Sequence, residues 1–197
     1  MNVSRPIWLP LAAAMIFGFA GPLPAVSQTP IPPELPGPPA ATAPADKFGE
    51  EVMLTEKTIV YLAGSGLWDS AFETILEGFK SVNEALEKQG IKANGPLMAI
   101  YTATDDTGFQ FLAAAPVAQA PELPPGDIKV GKSPTGKALK FVHHGSYESM
   151  DTTYEAITNY LDDKRLDARD LFIEQFMKDP LTTPEDDLVI EVYVPLK

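Results

Sequence analysis

Hydrophobic and polar positions change their period twice along residues 57–117. Residues 57–63 (KTIVYLA) alternate β-branched and aromatic side chains with others, which predicts a strand that Gly64 and Gly66 end. Residues 69–89 then place apolar side chains at helical spacing on one face, which predicts an amphipathic helix. The apolar positions of this face are Phe72, Ile75, Leu76, Phe79, Val82 and Leu86. Two further apolar segments, LMAIYT and FQFLAAAPV, are typical of strands.

The second half of the chain repeats this order of elements. KALKFVH at 137–143 predicts a strand, residues 149–163 predict a helix, and LFIEQF at 171–176 and LVIEVYVPL at 188–196 predict two closing strands. One offset of 79 residues aligns both the beginning and the end of the two halves. The aligned pairs are Gly66 with Gly145, Trp68 with Tyr147, Asp69 with Glu148, Ser70 with Ser149 and Pro116 with Pro195. A shared offset at both ends indicates an internal repeat.

This duplication predicts the fold class. A β-α-β-β unit at 50–117 and a second at 127–197 each present an apolar helix stripe and a sheet, and they bury a common core by pairing. We therefore expect an α+β domain at 47–197 with an antiparallel sheet, two main helices and a pseudo-twofold axis. A cleft is expected at this axis, where the two units meet.

The first 46 residues predict export rather than a folded domain. Arg5 precedes the apolar run IWLPLAAAMIFGFA, and the small residues Ala25-Val26-Ser27 follow at the spacing that signal peptidase uses. We predict a cleaved signal peptide at 1–27, with an uncleaved membrane anchor as the alternative. Residues 28–46 contain seven prolines and predict an extended tether. The expected location is the periplasm or the exterior.

Composition excludes several classes of site and partner. The chain has no cysteine, which excludes disulfides, thiolate catalysis, cysteine metal sites and a lipoprotein anchor. Its formal net charge is −12, and no basic stripe offsets this balance, so a nucleic acid partner is not expected. Motifs of phosphate loops, nucleophile elbows and zinc sites are absent from the sequence, and we predict neither a metal nor a cofactor.

Two segments of the second unit resemble a known family. HHGSYE at 143–148 and DPLTTPEDDLVIEVYVPL at 179–196 are similar to the GyrI-like small-molecule-binding family, whose fold also serves as the effector-binding domain of AraC-type and multidrug-responsive regulators. The resemblance covers about 50–197 and is stronger in the second unit. It implies a duplicated fold with a central pocket for a hydrophobic, often cationic, small molecule. Those regulators carry a DNA-binding domain, whereas here a signal and a tether precede the repeats. A Gly-Pro usual in relatives is replaced by Ala168-Arg169-Asp170.

Glu191 is the candidate pocket carboxylate that this resemblance implies. In LVIEVYVPL the residues Ile190, Val192 and Val194 alternate onto one face, so Glu191 and Tyr193 share the other. The repeat mate of Glu191 is apolar, so the fold itself does not require its charge. The pseudo-equivalent aromatic residues Trp68, Tyr147, Tyr101 and Phe176 are candidates for the walls of the cleft, where they would offer cation–π faces. The alternative places Glu191 on a solvated sheet face.

Three classes of function remain open from the sequence. The first is an exported domain that captures a small organic ligand for sequestration or sensing. The second is a hydrolase of small-molecule toxins, which some GyrI-like proteins are; Glu191, with Tyr193, Tyr147 or Trp68, would then supply acid–base catalysis. The third is a protein-contact domain with an occluded cleft. A haem-binding family shares this fold, but His143 and His144 are adjacent on a strand and point to opposite faces, which disfavours a shared metal. The ligand's identity and the oligomeric state stay open.

Overall fold

The computed structural model describes residues 47–197 as one α+β domain, so the predicted signal peptide at 1–27 and tether at 28–46 lie outside the described residues. Within that range no helix has the length and apolarity to cross a membrane. The strands are β1 (Glu50–Leu54), β2 (Thr58–Leu67), β3 (Leu97–Thr104), β4 (Gly108–Pro116), β5 (Ile128–Lys132), β6 (Gly136–His144), β7 (Phe172–Phe176) and β8 (Val189–Pro195). The main helices are α1 (Ala71–Lys88) and α2 (Met150–Lys164), and short 3-10 helices lie at Trp68–Ser70, Tyr147–Ser149 and Glu185–Asp187.

All eight strands form one antiparallel sheet with the order β1-β6-β8-β7-β3-β4-β2-β5. Each strand of the first repeat has its counterpart at the symmetric place in this order: β2 with β6, β3 with β7 and β4 with β8. The predicted duplication and fold class are therefore confirmed, and the pseudo-twofold axis passes between the central strands β3 and β7.

The strand register reproduces the offset of 79 residues. Ile59 lies opposite Pro116 in the pair β2–β4, and Ala138 lies opposite Pro195 in the pair β6–β8. The 3-10 helices at Trp68–Ser70 and Tyr147–Ser149 begin at the same offset. Trp68 and Tyr147 therefore occupy equivalent positions, each at the entrance to a main helix.

The third strand of the second repeat departs from this offset. Ala93 forms an isolated bridge with Val117, and its counterpart Ala168 forms one with Leu196. The two alanines are 75 residues apart, whereas their partners are 79 apart. The second unit is thus four residues shorter before its third strand, in part because α2 has 15 residues and α1 has 18.

Both helices pack on one face of the sheet, which we call the helix face. The amphipathic pattern of the first helix is confirmed, because Ile75, Phe79, Val82 and Leu86 are buried there. From β8, the alternate residues Ile190, Val192 and Val194 point into the same core. The side chains of Tyr101 on β3 and Phe176 on β7 belong to it as well.

A second, smaller core lies on the opposite side of the sheet, the back face. It consists of Ile59, Met98, Ile100, Ala114 and Ile173, and Tyr193 packs against it. The connections β1–β2 and β5–β6 lie on this side, and their main chains are joined by a hydrogen bond from Ser133 N to the Lys57 carbonyl. The sheet therefore buries apolar residues on both faces, and the faces differ in which polar groups they hold.

Candidate functional site

A cleft of about 640 Å³ opens on the helix face where the two repeats meet. Its walls come from the starts of both helices and from the 3-10 helix that precedes β8. The lining residues are Trp68, Asp69, Ser70, Ala71, Phe72, Glu73, Tyr147, Glu148, Met150, Asp151, Tyr154 and Glu185. Because both repeats contribute equivalent segments, the cleft lies at the pseudo-twofold axis, where the duplication predicts it.

A buried carboxylate, Glu174, contacts the hydroxyl groups of two of these lining residues from below. It lies on β7 between Phe172 and Phe176 of the same strand face and has no solvent exposure. Tyr154 donates to Oε1 at 2.7 Å, and Tyr147 donates to Oε2 at 2.9 Å.

A third tyrosine completes the hydrogen-bond network around this carboxylate. The hydroxyl of Tyr101 on β3 lies 3.1 Å from Oε2 of Glu174 and 2.8 Å from the hydroxyl of Tyr147. The three phenols come from three different elements: β3, the 3-10 helix before α2, and α2 itself. We call Glu174 and these three tyrosines the tyrosine–carboxyl cluster.

The electrostatics of this cluster favour the protonated acid. Burial raises the pKa of Glu174 to about 7, although the hydrogen bonds from Tyr154, Tyr147 and Tyr101 act in the opposite direction. Burial, together with the nearby carboxylate, also holds the pKa of each tyrosine well above its usual value, so the phenols stay protonated donors. Across residues 47–197, no salt bridge reaches Glu174.

Stacked aromatic rings hold the cluster in place. Tyr101 stacks on Phe172 with ring centroids 4.3 Å apart and under Trp68 at 6.3 Å. Tyr147 stacks on Phe72 at 4.7 Å and lies 6.4 Å from Phe176. The predicted wall residues Trp68, Tyr147, Tyr101 and Phe176 are thus brought together, although their contact with a ligand stays a prediction.

Trp68 is the most accessible of these rings. Its side chain is 39% exposed, and its Nε1 donates to the main-chain oxygen of Asp105 at 2.8 Å. The turn at Asp105 is itself held by hydrogen bonds from Thr107 and Gly108 to the aspartate side chain. The β3–β4 hairpin therefore fixes the indole at the mouth of the cleft with one face open to solvent.

The rim of the cleft carries carboxylates from both repeats. These residues are Asp69, Glu73, Glu148, Asp151 and Glu185. Among the described residues, the salt bridges involve other acids, and no lysine or arginine lines the cleft. Acidic residues in the first turn favour a helix N-terminus, which accounts for part of this distribution. Their joint effect is a negative potential over an aromatic surface.

Glu191 and Tyr193 lie elsewhere, on the back face. The predicted alternation of β8 is correct, but the helices cover Ile190, Val192 and Val194, so the other face points away from the cleft. The grouping of Glu191 and Tyr193 with the four aromatic residues is therefore corrected.

The surroundings of Glu191 differ from those of Glu174. Tyr193 donates a short hydrogen bond to Oε2 of Glu191, and Lys140 lies 3.7 Å from Oε1. Lys140 also forms a 2.9 Å ion pair with Glu50. The charge of Glu191 thus has a cation nearby within the protein. A ligand role for Glu191 stays a prediction.

Sequence reasoning missed Glu174 because it used one offset for the whole repeat. An offset of 79 places Glu174 opposite Gly95, which lies before β3, whereas the true counterpart is Ala99. The available signal was the segment LFIEQF, in which a glutamate lies two residues from a phenylalanine on either side. Alternation puts all three side chains on one face. A charge in the middle of an apolar strand face indicates a buried functional group.

His143 positions the segment that carries Tyr147. The imidazole is 5% exposed; its Nδ1 lies 2.7 Å from the Thr153 hydroxyl, and its Nε2 lies 3.0 Å from the Ser146 carbonyl. Since a carbonyl only accepts, Nε2 carries the proton and Nδ1 accepts from Thr153 in the neutral ring. His144 is exposed, so the two histidines diverge as the strand geometry predicts. In the described residues no group of acidic and histidine side chains could hold a metal ion.

Comparisons with known proteins agree with this architecture. The family described as GyrI-like small molecule binding domain matches the sequence over residues 50–197. The structure of SAV2435 bound to tetraphenylphosphonium is similar at 13% identity with a TM-score of 0.56, covering 77% of this chain and 94% of that one. The EcmrR C-terminal domain is similar at 13% identity and a TM-score of 0.64, over 76% of this chain and 96% of that one.

A third similar structure is described as a hydrolase from Listeria innocua. It shares 12% identity with a TM-score of 0.51, and the match covers 76% of this chain and 92% of that one. No curated protein sequence matched the chain. At such identities the structural likenesses establish a shared fold.

Proposed function

The chain belongs to the family of GyrI-like small-molecule-binding domains, and we propose that it is exported and captures a hydrophobic cation in the cleft between its repeats. The observation that carries this proposal is Glu174, a buried carboxyl that three tyrosine hydroxyls hold beneath an aromatic cleft. Capture would serve sequestration or sensing. Its location would be the periplasm or the exterior, as the signal-like first 27 residues favour.

Three features of the cleft support a cationic ligand. The rings of Trp68, Phe72 and Tyr147 offer π faces, which attract a cation that has left water. The rim carboxylates add long-range attraction and repel anions. Glu174 lies below, where low polarity strengthens a charge–charge interaction. The similar protein SAV2435 was solved with tetraphenylphosphonium, a hydrophobic cation, which agrees with this chemistry.

Charge selectivity tests the proposal directly. Tetraphenylphosphonium and tetraphenylborate have nearly the same shape and opposite charge, so steric fit is matched. We expect the cation to quench Trp68 fluorescence in a saturable titration at about pH 8, with an affinity at least about 30-fold higher than that of the borate. The second tryptophan, Trp8, is outside the domain, and a Trp68→Phe variant identifies its contribution.

Three outcomes separate the alternatives. Equal affinity for both ions would contradict charge selection and favour a neutral ligand. Binding of neither ion, nor of neutral aromatic compounds, would favour a protein-contact domain. Binding of the cation without any change in Trp68 fluorescence would place the ligand outside the cleft.

A hydrolase is the second candidate function, and the protonation of Glu174 is the observation that favours it. A carboxylic acid with a pKa of about 7 is a suitable general acid near neutral pH, and Tyr147 connects it to the cleft. In such a reaction the acid would protonate a strained cyclopropane toxin as a ring C–C bond breaks, and water would add to the carbon.

Turnover separates this enzyme from a binding protein. A hydrolase would convert a cyclopropane-bearing toxin to a product heavier by one water, detected by mass spectrometry. Its rate would fall as the pH rises through about 7, because the acid form is then lost. Glu174→Gln would remove turnover and retain binding of an uncharged toxin. An unchanged toxin after prolonged incubation with the wild-type protein would contradict the enzyme.

A further inference from the structure

The tyrosine–carboxyl cluster contains more close contacts than its hydroxyl protons can satisfy. Four oxygen–oxygen contacts are present: Tyr154 with Oε1, Tyr147 with Oε2, Tyr101 with Oε2, and Tyr101 with Tyr147. Each needs one proton between its oxygens, and each phenol carries one. Three phenols therefore supply three protons for four contacts. An ionised Glu174 leaves one pair of oxygens facing each other without a proton.

A protonated Glu174 supplies the missing proton. With the acid proton on Oε2, the carboxyl donates to Tyr147, Tyr147 donates to Tyr101, and Tyr101 donates back to Oε2, while Tyr154 donates to Oε1. The bonds around Oε2 then form a closed cycle in one direction, a pattern in which each bond polarises the next. The observed distances of 2.7–3.1 Å fit this arrangement without any displacement.

The groups around Glu174 favour the same state. On its own strand the neighbours on this face are Phe172 and Phe176, and the paired strands present Val192 and Ala99. The titratable groups that face it from β3, the 3-10 helix and α2 are the three tyrosines. The charged groups of the cleft above are the rim carboxylates Asp69, Glu73, Glu148, Asp151 and Glu185. These acids repel a second negative charge, and the buried imidazole of His143 on β6 is bonded to Thr153 and Ser146.

We propose that the cleft exchanges a proton for its ligand: Glu174 is a neutral carboxylic acid in the free protein, and a cationic ligand displaces its proton to solvent. This inference rests on the proposed function. The O–H bond of the carboxyl breaks, the proton leaves past the Tyr147 hydroxyl to a buffer base, and the carboxylate keeps the electron pair. The ligand's positive charge then replaces that of the proton, so the charge of the buried cluster stays balanced.

Proton exchange makes capture depend on pH. Above the pKa of about 7 the carboxylate already exists, so binding releases no proton and has its full affinity. Below that value each bound cation must displace a proton, and the affinity falls about tenfold per pH unit until the complex itself is protonated. Acidification would therefore release the ligand, and neutral conditions would load the protein.

Calorimetry measures the displaced proton directly. Tetraphenylphosphonium would be titrated into the purified protein at about pH 6 in two buffers of different ionisation enthalpy, phosphate and Tris-family amines, and the difference in heat gives the protons released. We expect nearly one proton per cation at about pH 6 and nearly none at about pH 8, with an affinity roughly tenfold lower at the acidic value. Glu174→Gln should release no proton and bind with a nearly pH-independent affinity.

A spectroscopic measurement on the wild-type protein covers the case in which Glu174→Gln fails to fold. Infrared difference spectra at about pH 6 should show the loss of one protonated-carboxyl C=O band and the gain of a carboxylate band when the cation binds. Glu191→Gln, on the back face, should retain both this signal and the proton release.

The outcomes distinguish the inference from the proposed function. Binding of tetraphenylphosphonium without proton release or loss of the carboxyl band at about pH 6 would overturn the exchange and leave cation capture intact. Proton release that persists in Glu174→Gln would also overturn it, because another group would then be the source. A protein that binds no cation at any pH would overturn both.

Discussion

Glu174→Gln is expected to stabilise the folded domain by about 3 kcal/mol above pH 8 and to have little effect near pH 4.5. The fold raises the pKa of this carboxyl from 4.5 to about 7, so the folded state binds more protons than the unfolded state between those values. The neutral acid contributes stability that is fully present below the unfolded pKa and is lost as the pH rises through the folded one. Glutamine resembles the neutral acid and never ionises, so it avoids this loss.

Urea unfolding of the wild type and the variant at several pH values measures the effect. Their difference in unfolding free energy should grow between about pH 4.5 and pH 7 and then stay constant. Glu191→Gln is the matched control, because Glu191 has Lys140 nearby and lies on the back face. A difference between wild type and Glu174→Gln that is the same at every pH would mean that Glu174 titrates at its ordinary value in the fold.

The sequence was sufficient for the fold because each element carries its own periodic signal. The apolar face of α1 and the alternation of β8 depend on local geometry, and both were predicted correctly. The repeat offset at Trp68 and Tyr147 then paired the two units, since glycine, proline and aromatic positions recur there. None of these inferences required knowledge of contacts between distant segments.

The candidate site depends on contacts that periodicity does not encode. Alternation shows that Glu191 and Ile190 lie on opposite faces, but which face the cleft occupies is decided by where both helices pack. The carboxyl below the cleft lies one strand away, on β7, because Glu174 pairs with Val192 of β8. Its three phenols come from separate elements, and only the folded chain brings them within hydrogen-bond distance.

The same substitution on the two faces of the sheet should therefore have opposite consequences for binding. At about pH 8, Glu174→Gln is expected to weaken tetraphenylphosphonium binding about 100-fold, because a buried charge that would pair with the ligand is removed. Glu191→Gln should change the affinity less than about twofold, since its charge already has Lys140 beside it and the cleft lies on the other face.

Fluorescence titration of both variants gives the comparison, and circular dichroism verifies that each is folded. The reverse pattern, in which only Glu191→Gln weakens binding, would move the ligand to the back-face pocket of about 250 Å³ beside Tyr193. Loss in both variants would point to an indirect effect through the shared sheet, because β7 and β8 are hydrogen-bonded neighbours. Only a selective loss in Glu174→Gln assigns the charge that the ligand needs to the tyrosine–carboxyl cluster.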